Sequence, residues 1–197
     1  MILAISGGRH AGKDTFFDTI KERYKYNYNF IQKKFSYNMK LCACIIFGWT
    51  MEQIEDQTFK ETIDPIYGIS PRMFLDDFGT IYGRQHLCEV FPEFKRLVGE
   101  RIWSMGTIRD CVKEATNNNI VCITDFRYPV EEVELESCNH EVIVLNIDRP
   151  EFPINPKSAD KLVPLLEWNY KLINNKSLEE YRDDCISMFD KIMEDRK

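Results

Sequence analysis

The heptapeptide Gly7-Gly8-Arg9-His10-Ala11-Gly12-Lys13 fits the spacing G-x-x-x-x-G-K. Such a loop turns its backbone N–H groups toward a common centre, where they wrap phosphate oxygens, and its lysine reaches the outermost phosphates of a polyphosphate. A glycine turn followed by a surface lysine is the bland alternative. The flanking sequence disfavours it, with an apolar run before the motif and a helical pattern after it. Next comes Asp14, where such loops normally carry a Ser or Thr hydroxyl for magnesium, and then Thr15. A carboxylate beside a polyphosphate repels it unless a divalent cation lies between them, so Asp14 implies a metal ion. The competing reading is an acid that only complements the helix dipole.

A strand, a tight loop and a helix must hold these groups. Residues 1–6 are an apolar run closed by two glycines and read as a buried strand, after which Phe16, Phe17, Ile20 and Tyr24 share a helical face. Residues 29–36 read as a second strand and residues 39–47 as a buried helix. Ser70-Pro71 marks a capped helix start with Phe74, Phe78 and Ile81 on one face and an end near Gly83. From Phe94 to Ala115 the apolar residues keep helical period until Asn117-Asn118-Asn119, and residues 120–124 form an apolar strand with Asp125 at its carboxyl end. Residues 141–147 and 170–173 are further strands. Between them, residues 148–164 read as a mobile loop, since Pro150, Pro153 and Pro156 forbid a regular helix. Ser177 to Glu180 is a capping box that opens a final helix. Strands alternating with helices predict an α/β fold with a central, mainly parallel sheet flanked by helices, in a single domain over residues 1–197.

Composition narrows the partners. The 26 basic residues against 32 acidic ones give a formal charge of -6, which argues against a nucleic-acid polymer and leaves small phosphorylated ligands served by local cations. Seven cysteines without a C-x-x-C pair read as reduced thiols, with Cys42, Cys44 and Trp103 in the core. No apolar stretch suffices for a membrane span, and the expected location is cytoplasmic, or the host cytoplasm for a viral chain. His10, His86 and His140 have no metal-ligand spacing.

The run Ser6-Gly7-Gly8-Arg9-His10-Ala11-Gly12-Lys13-Asp14-Thr15 resembles the G-x-x-x-[SA]-G-K-D-T phosphate loop of phage-type deoxynucleoside monophosphate kinases. Animal-type phosphomevalonate kinases share its G-K-D core. Further segments resemble the deoxynucleotide kinases in the same order: Phe35-Ser36-Tyr37-Asn38-Met39-Lys40, Ser70-Pro71-Arg72, Phe78-Gly79-Thr80 with Arg84, and Ile102-Trp103. The most specific is Ile123-Thr124-Asp125-Phe126-Arg127-Tyr128-Pro129-Val130-Glu131, similar to the family's I-T-D-x-R-[FY]-P-N-E, with Val130 in place of the asparagine. Ser158-Ala159-Asp160 and the segment from Ile173 to Glu180 are weaker echoes of the family's closing region.

The resemblance implies a P-loop NTPase fold of the nucleoside monophosphate kinase kind, acceptor-binding helices over about residues 37–115 and a lid-like loop over about residues 149–164. It implies ATP and Mg²⁺ as donor and metal, and phosphorylation of a deoxynucleoside monophosphate to the diphosphate. Gly7 to Thr15 would bind ATP, and Lys13, Asp14, Asp125 and Arg127 would carry the chemistry. Asp14 and Asp125 would hold the metal, Lys40, Arg72, Arg84, Arg127 and Glu131 the acceptor, and Arg149 would act from the lid. Asp125 also reads as a helix cap, and Arg127, two residues on, shares its face in an extended chain and would pair with it. A phosphomevalonate kinase-like enzyme, a catalytically silent nucleotide-binding protein and homodimerisation all remain open from sequence.

Overall fold

A computed structural model describes residues 1–116, 118–152 and 159–196. The expected sheet is present and fully parallel. Strands β1 (Ile2–Ser6), β2 (Asn29–Lys33), β3 (Asn119–Phe126), β4 (Val142–Asp148) and β5 (Tyr170–Ile173) lie in the order β2-β3-β1-β4-β5. β1 sits at the centre, paired with β3 on one side and β4 on the other. All five of its residues are buried, which is why it reads as an unbroken apolar run and not as an alternating one.

Helices α1 (Lys13–Tyr24) and α10 (Leu178–Glu194) cover the sheet. Phe16, Phe17 and Ile20 of the first meet Tyr181, Cys185, Phe189 and Ile192 of the second in one core with Leu3, Ile5, Leu145 and Ile147. Because every strand runs the same way, the segments after β1, β3, β4 and β5 emerge at one edge, where ligands of open parallel sheets are held. Along the β1–β3 pair the register slips between Ala4↔Ile123 and Ser6↔Phe126. That irregularity re-aims the strand end carrying Thr124 and Asp125.

By its contacts the chain divides into two compact units, Met1–Lys34 with Thr107–Lys197, and Phe35–Gly106. The second unit is helical: α2 (Tyr37–Phe47), α3 (Met51–Glu55), α4 (Gln57–Glu61), α5 (Pro71–Asp77), α6 (Leu87–Val90) and α7 (Pro92–Leu97), with α8 (Ser104–Glu114) crossing its boundary. Ala43, Trp49, Ile54 and Leu75 form its core, and Phe47 stacks on Trp49 at 4.3 Å between ring centroids.

Several expectations need correction. The second strand ends at Lys33, where its pairing with Ile123 stops, and residues 34–36 turn into α2. That helix is buried along one face only: Lys40 and Ala43 are buried, Met39, Cys44 and Phe47 pack against the unit's core from half-buried positions, and Ile45 is 76% and Ile46 54% exposed. Cys42 and Cys44 are half-buried. The stretch from Phe94 to Ala115 is broken at Gly99, whose φ of 57° interrupts the helix, into α7, a 3-10 turn and α8. Residues 159–165 form a 3-10 helix, Ala159–Leu165, where a loop was expected; Pro153, Pro156 and Ser158 lie outside the described residues.

The helix beginning at Ser70 does not stop near Gly83. It passes through a π-helical stretch, Phe78–His86, and continues into α6. Gly83 is there for space: a Cβ would stand 2.6 Å from Trp103 Cζ2, and Trp103 donates its indole N–H to the Gly79 carbonyl at 2.9 Å. We expect Gly83→Ala to destabilise the chain by about 1–3 kcal/mol through overpacking. Gly106→Ala, in α8 with nothing within 4 Å of the new Cβ, should stabilise it by roughly 0.5–1 kcal/mol. Urea unfolding of the two variants checks the opposite signs.

Candidate active site

The loop between β1 and α1 has a backbone that few sequences can adopt. Gly7 has φ 138° and Gly12 φ 104°, and His10, with a side chain, sits at φ 61°. A Cβ on Gly7 would lie 2.3 Å from the carbonyl oxygen of Ile147, and one on Gly12 would lie 2.7 Å from Asn174 Nδ2. The loop is braced from two later elements. Asn174, just past β5, donates to the Ala11 carbonyl at 2.9 Å, and Tyr181 of α10 donates its hydroxyl to the Gly12 carbonyl at 3.0 Å. Neither brace was assigned a role from sequence. Asn174 lies in the closing segment that echoed the family, and Tyr181 was visible only as a core position of the last helix.

Lys13 opens α1 and is 7% exposed. Its ammonium donates to the carbonyls of Gly7 at 2.9 Å and Gly8 at 2.6 Å, curling back over the loop. Burial, and next the positive charge of Arg127, push its pKa from 10.5 down to about 7. Asp160, Asp14 and Asp125 act in the opposite direction. These five charged groups therefore share one electrostatic neighbourhood.

A buried lysine so shifted has a definite pH signature. Its folded pKa lies below its unfolded one, so the buried ammonium opposes folding below about pH 7, and that penalty fades as pH rises toward 10.5. A polyphosphate needs the charged form. If one binds here, above about pH 7 its binding would draw a proton onto Lys13, and affinity should fall as pH rises. Calorimetric titration above that pH, in two buffers of different ionisation heat, should report proton uptake. A heat that is the same in both buffers would contradict it.

Asp14, in the first turn of α1, is an exposed carboxylate tied on one oxygen. Its Oδ1 accepts from Gln32 Nε2 at 2.8 Å and from Thr124 Oγ1 at 3.3 Å, and lies 3.3 Å from Lys34 Nζ. Gln32 also donates to Thr124 Oγ1 at 2.9 Å. Gln32 and Lys34 were not singled out from sequence; one is on an edge strand and the other just beyond it, with no motif to mark them. Among the described residues these contacts all fall on Oδ1. One or two carboxylates beside phosphate and water oxygens is the donor set that suits Mg²⁺, so Asp14 and Asp125 fit that ion. Among the described residues no cluster of three or more His, Cys, Asp or Glu side chains forms a self-contained metal cage. Thr15 follows in the same helical turn.

At the end of β3, Asp125 is half-buried inside the strand and does not cap the next helix. Tyr128 occupies the cap of α9 (Pro129–Ser137). Arg127 forms its ion pair with Asp160, Nη1 to Oδ1 at 3.1 Å. Its Nε is buried without a hydrogen-bond partner among the described residues. Glu131, expected at the acceptor, is 1% exposed, and its Oε2 accepts from the backbone N–H groups of Arg127 at 3.0 Å and Tyr128 at 3.1 Å. That geometry makes it the brace that fixes the Arg127 main chain at the head of α9. Arg149, just after β4, donates to the His10 carbonyl at 3.2 Å and lies over the Phe152 ring at 4.4 Å, so it touches the loop between β1 and α1 directly.

The remaining sequence candidates belong to the helical unit. Lys40 is buried and paired with Glu55 at 2.6 Å, Arg72 pairs with Glu61 at 3.0 Å, and Arg84 is buried and donates to the Glu100 carbonyl at 3.0 Å.

No family model matches the chain. A curated protein of Acanthamoeba polyphaga mimivirus, named "Putative deoxynucleotide monophosphate kinase", is 27% identical over 197 residues, covering 96% of each chain. Among solved structures, shikimate kinase of Aquifex aeolicus aligns over 98% of each chain at a TM-score of 0.46 and 12% identity. A cysteine-to-alanine mutant of the Mycobacterium tuberculosis APS kinase aligns over 96% of each at 0.42 and 8%. No described helix is long and apolar enough to cross a membrane.

Proposed function

We propose that this protein is a kinase that moves the terminal phosphoryl group of ATP, with Mg²⁺, onto a deoxynucleoside monophosphate. The observation that carries the reading is the gathering of Lys13, Asp14, Asp125 and Arg127 around a positive-φ loop at the carboxyl edge of a parallel sheet. The mimivirus relative, similar over nearly the whole chain, supports the acceptor class by its name.

Phosphoryl transfer asks the protein for position and for neutralised charge. The loop amides and Lys13 would hold the outer phosphates of ATP at the head of α1, where the helix dipole also favours an anion. Arg127 would meet the acceptor phosphate, one of whose oxygens attacks the γ-phosphorus as the bond to the β,γ-bridging oxygen breaks and ADP leaves. Lys40, Arg72 and Arg84 are the further acceptor-side cations that the resemblance assigns. Bound through Asp14 and Asp125, Mg²⁺ would neutralise charge on the transferred group. The acceptor is itself an oxyanion, so the chain needs no side-chain nucleophile.

The test is an acceptor panel. Nucleoside and deoxynucleoside monophosphates, with phosphomevalonate alongside, are incubated with the protein, ATP and Mg²⁺. Deoxynucleoside diphosphates should appear with matching ADP. Turnover of phosphomevalonate alone, or of no acceptor, would remove the reading.

A further inference from the structure

The loop assigned to a polyphosphate already holds an anion of the chain's own. Asp160, in the 3-10 helix Ala159–Leu165, is 2% exposed. Its Oδ2 accepts the backbone N–H of Arg9 at 2.9 Å, and its Oδ1 pairs with Arg127 Nη1 at 3.1 Å. Among the acids that favour charged Lys13 it is the foremost. One buried carboxylate thus engages a loop amide, a guanidinium and, through space, the loop lysine. These are the three kinds of group that bind a phosphate.

The pairing is also incomplete in a telling way. Arg127 reaches Asp160 through Nη1, while its buried Nε has no hydrogen-bond partner among the described residues. A guanidinium is built to give two parallel hydrogen bonds to a carboxylate or phosphate, and here one of its donors is unused. A phosphate oxygen on the Arg9 N–H would also need the place that Oδ2 occupies, and two anions do not share one donor in a buried site.

We propose that Asp160 is a built-in stand-in for phosphate: it occupies the Arg9 amide and Arg127 while the loop is empty and withdraws when a polyphosphate enters. Donor binding then frees Arg127 for the acceptor and displaces the Ala159–Leu165 helix, so Asp160 is a positioning residue that couples the two substrates. This rests on the reading of residues 7–13 as a polyphosphate site.

The test uses inorganic tripolyphosphate without metal, titrated into the full chain and into Asp160→Asn, which keeps the shape and removes the competing charge. The variant should bind at least about tenfold more tightly, the worth of one charged hydrogen bond. Equal or weaker binding by the variant overturns the stand-in while leaving the polyphosphate site intact. Binding by neither protein overturns both. A second measurement needs no variant: saturating the wild-type chain with tripolyphosphate should speed amide hydrogen exchange over residues 159–165, and unchanged or slower exchange there overturns the proposal.

Discussion

Replacing Lys13 with alanine should leave the chain folded and cut phosphoryl transfer by about a thousandfold or more, since removal of one preorganised charge-stabilising group typically costs at least two to three decades. The fold should survive because the buried ammonium, with its pKa pushed to about 7, is not a net support of the native state near neutrality. Activity should not survive, because Lys13 is the loop cation that stands at the head of α1 among Arg127, Asp14 and Asp125. Steady-state kinetics should place the loss mainly in kcat, with circular dichroism unchanged. A variant that keeps full turnover would mean the loop does not handle the reacting phosphates.

Gly7→Ala is expected to be the most damaging small substitution in the chain, costing roughly 3 kcal/mol or more in stability. Two effects add there. A φ of 138° disfavours any side chain, and the new Cβ would press 2.3 Å from a backbone oxygen of β4, which cannot swing aside as a flexible side chain can. Gly8→Ala is the control: it meets nothing within 4 Å and should cost less than about 1 kcal/mol. Denaturant unfolding of the pair separates a loop whose shape is enforced from one that merely contains glycine. Similar stabilities for the two variants would contradict the enforced geometry.

The parts of the fold that the sequence makes legible are those with a local cause. β1 is an apolar run cut off by Gly7 and Gly8, α1 has its apolar face at helical spacing, and Ser177 and Glu180 form the capping box expected at the start of α10. Where tertiary packing decides, sequence misleads. The apolar character of α2 suggested a buried helix, yet the helix turns Ala43 and the Lys40 stem inward and leaves Ile45 exposed. Gly83 looked like a stop and is a notch for Trp103.

The site divides the same way. Lys13, Asp14, Asp125 and Arg127 sit in motifs whose residue types announce phosphate chemistry. Gln32, Asn174, Tyr181 and Asp160 act across long stretches of chain, through contacts that no spacing rule encodes. Glu131 shows the converse. Its motif pointed to a ligand, and the structure adds a role that the motif did not show: its carboxylate braces the backbone that carries Arg127.

On the function proposed for this chain, the amides from Gly7 to Lys13 grip the phosphate tail of ATP. Backbone amide resonances followed by NMR during titration with ATP and Mg²⁺ would report that grip residue by residue. Saturable shifts should be largest across residues 7–13 and should vanish in Lys13→Ala. Saturable binding that leaves those amides unmoved and perturbs another part of the chain, or no binding at all, would contradict it.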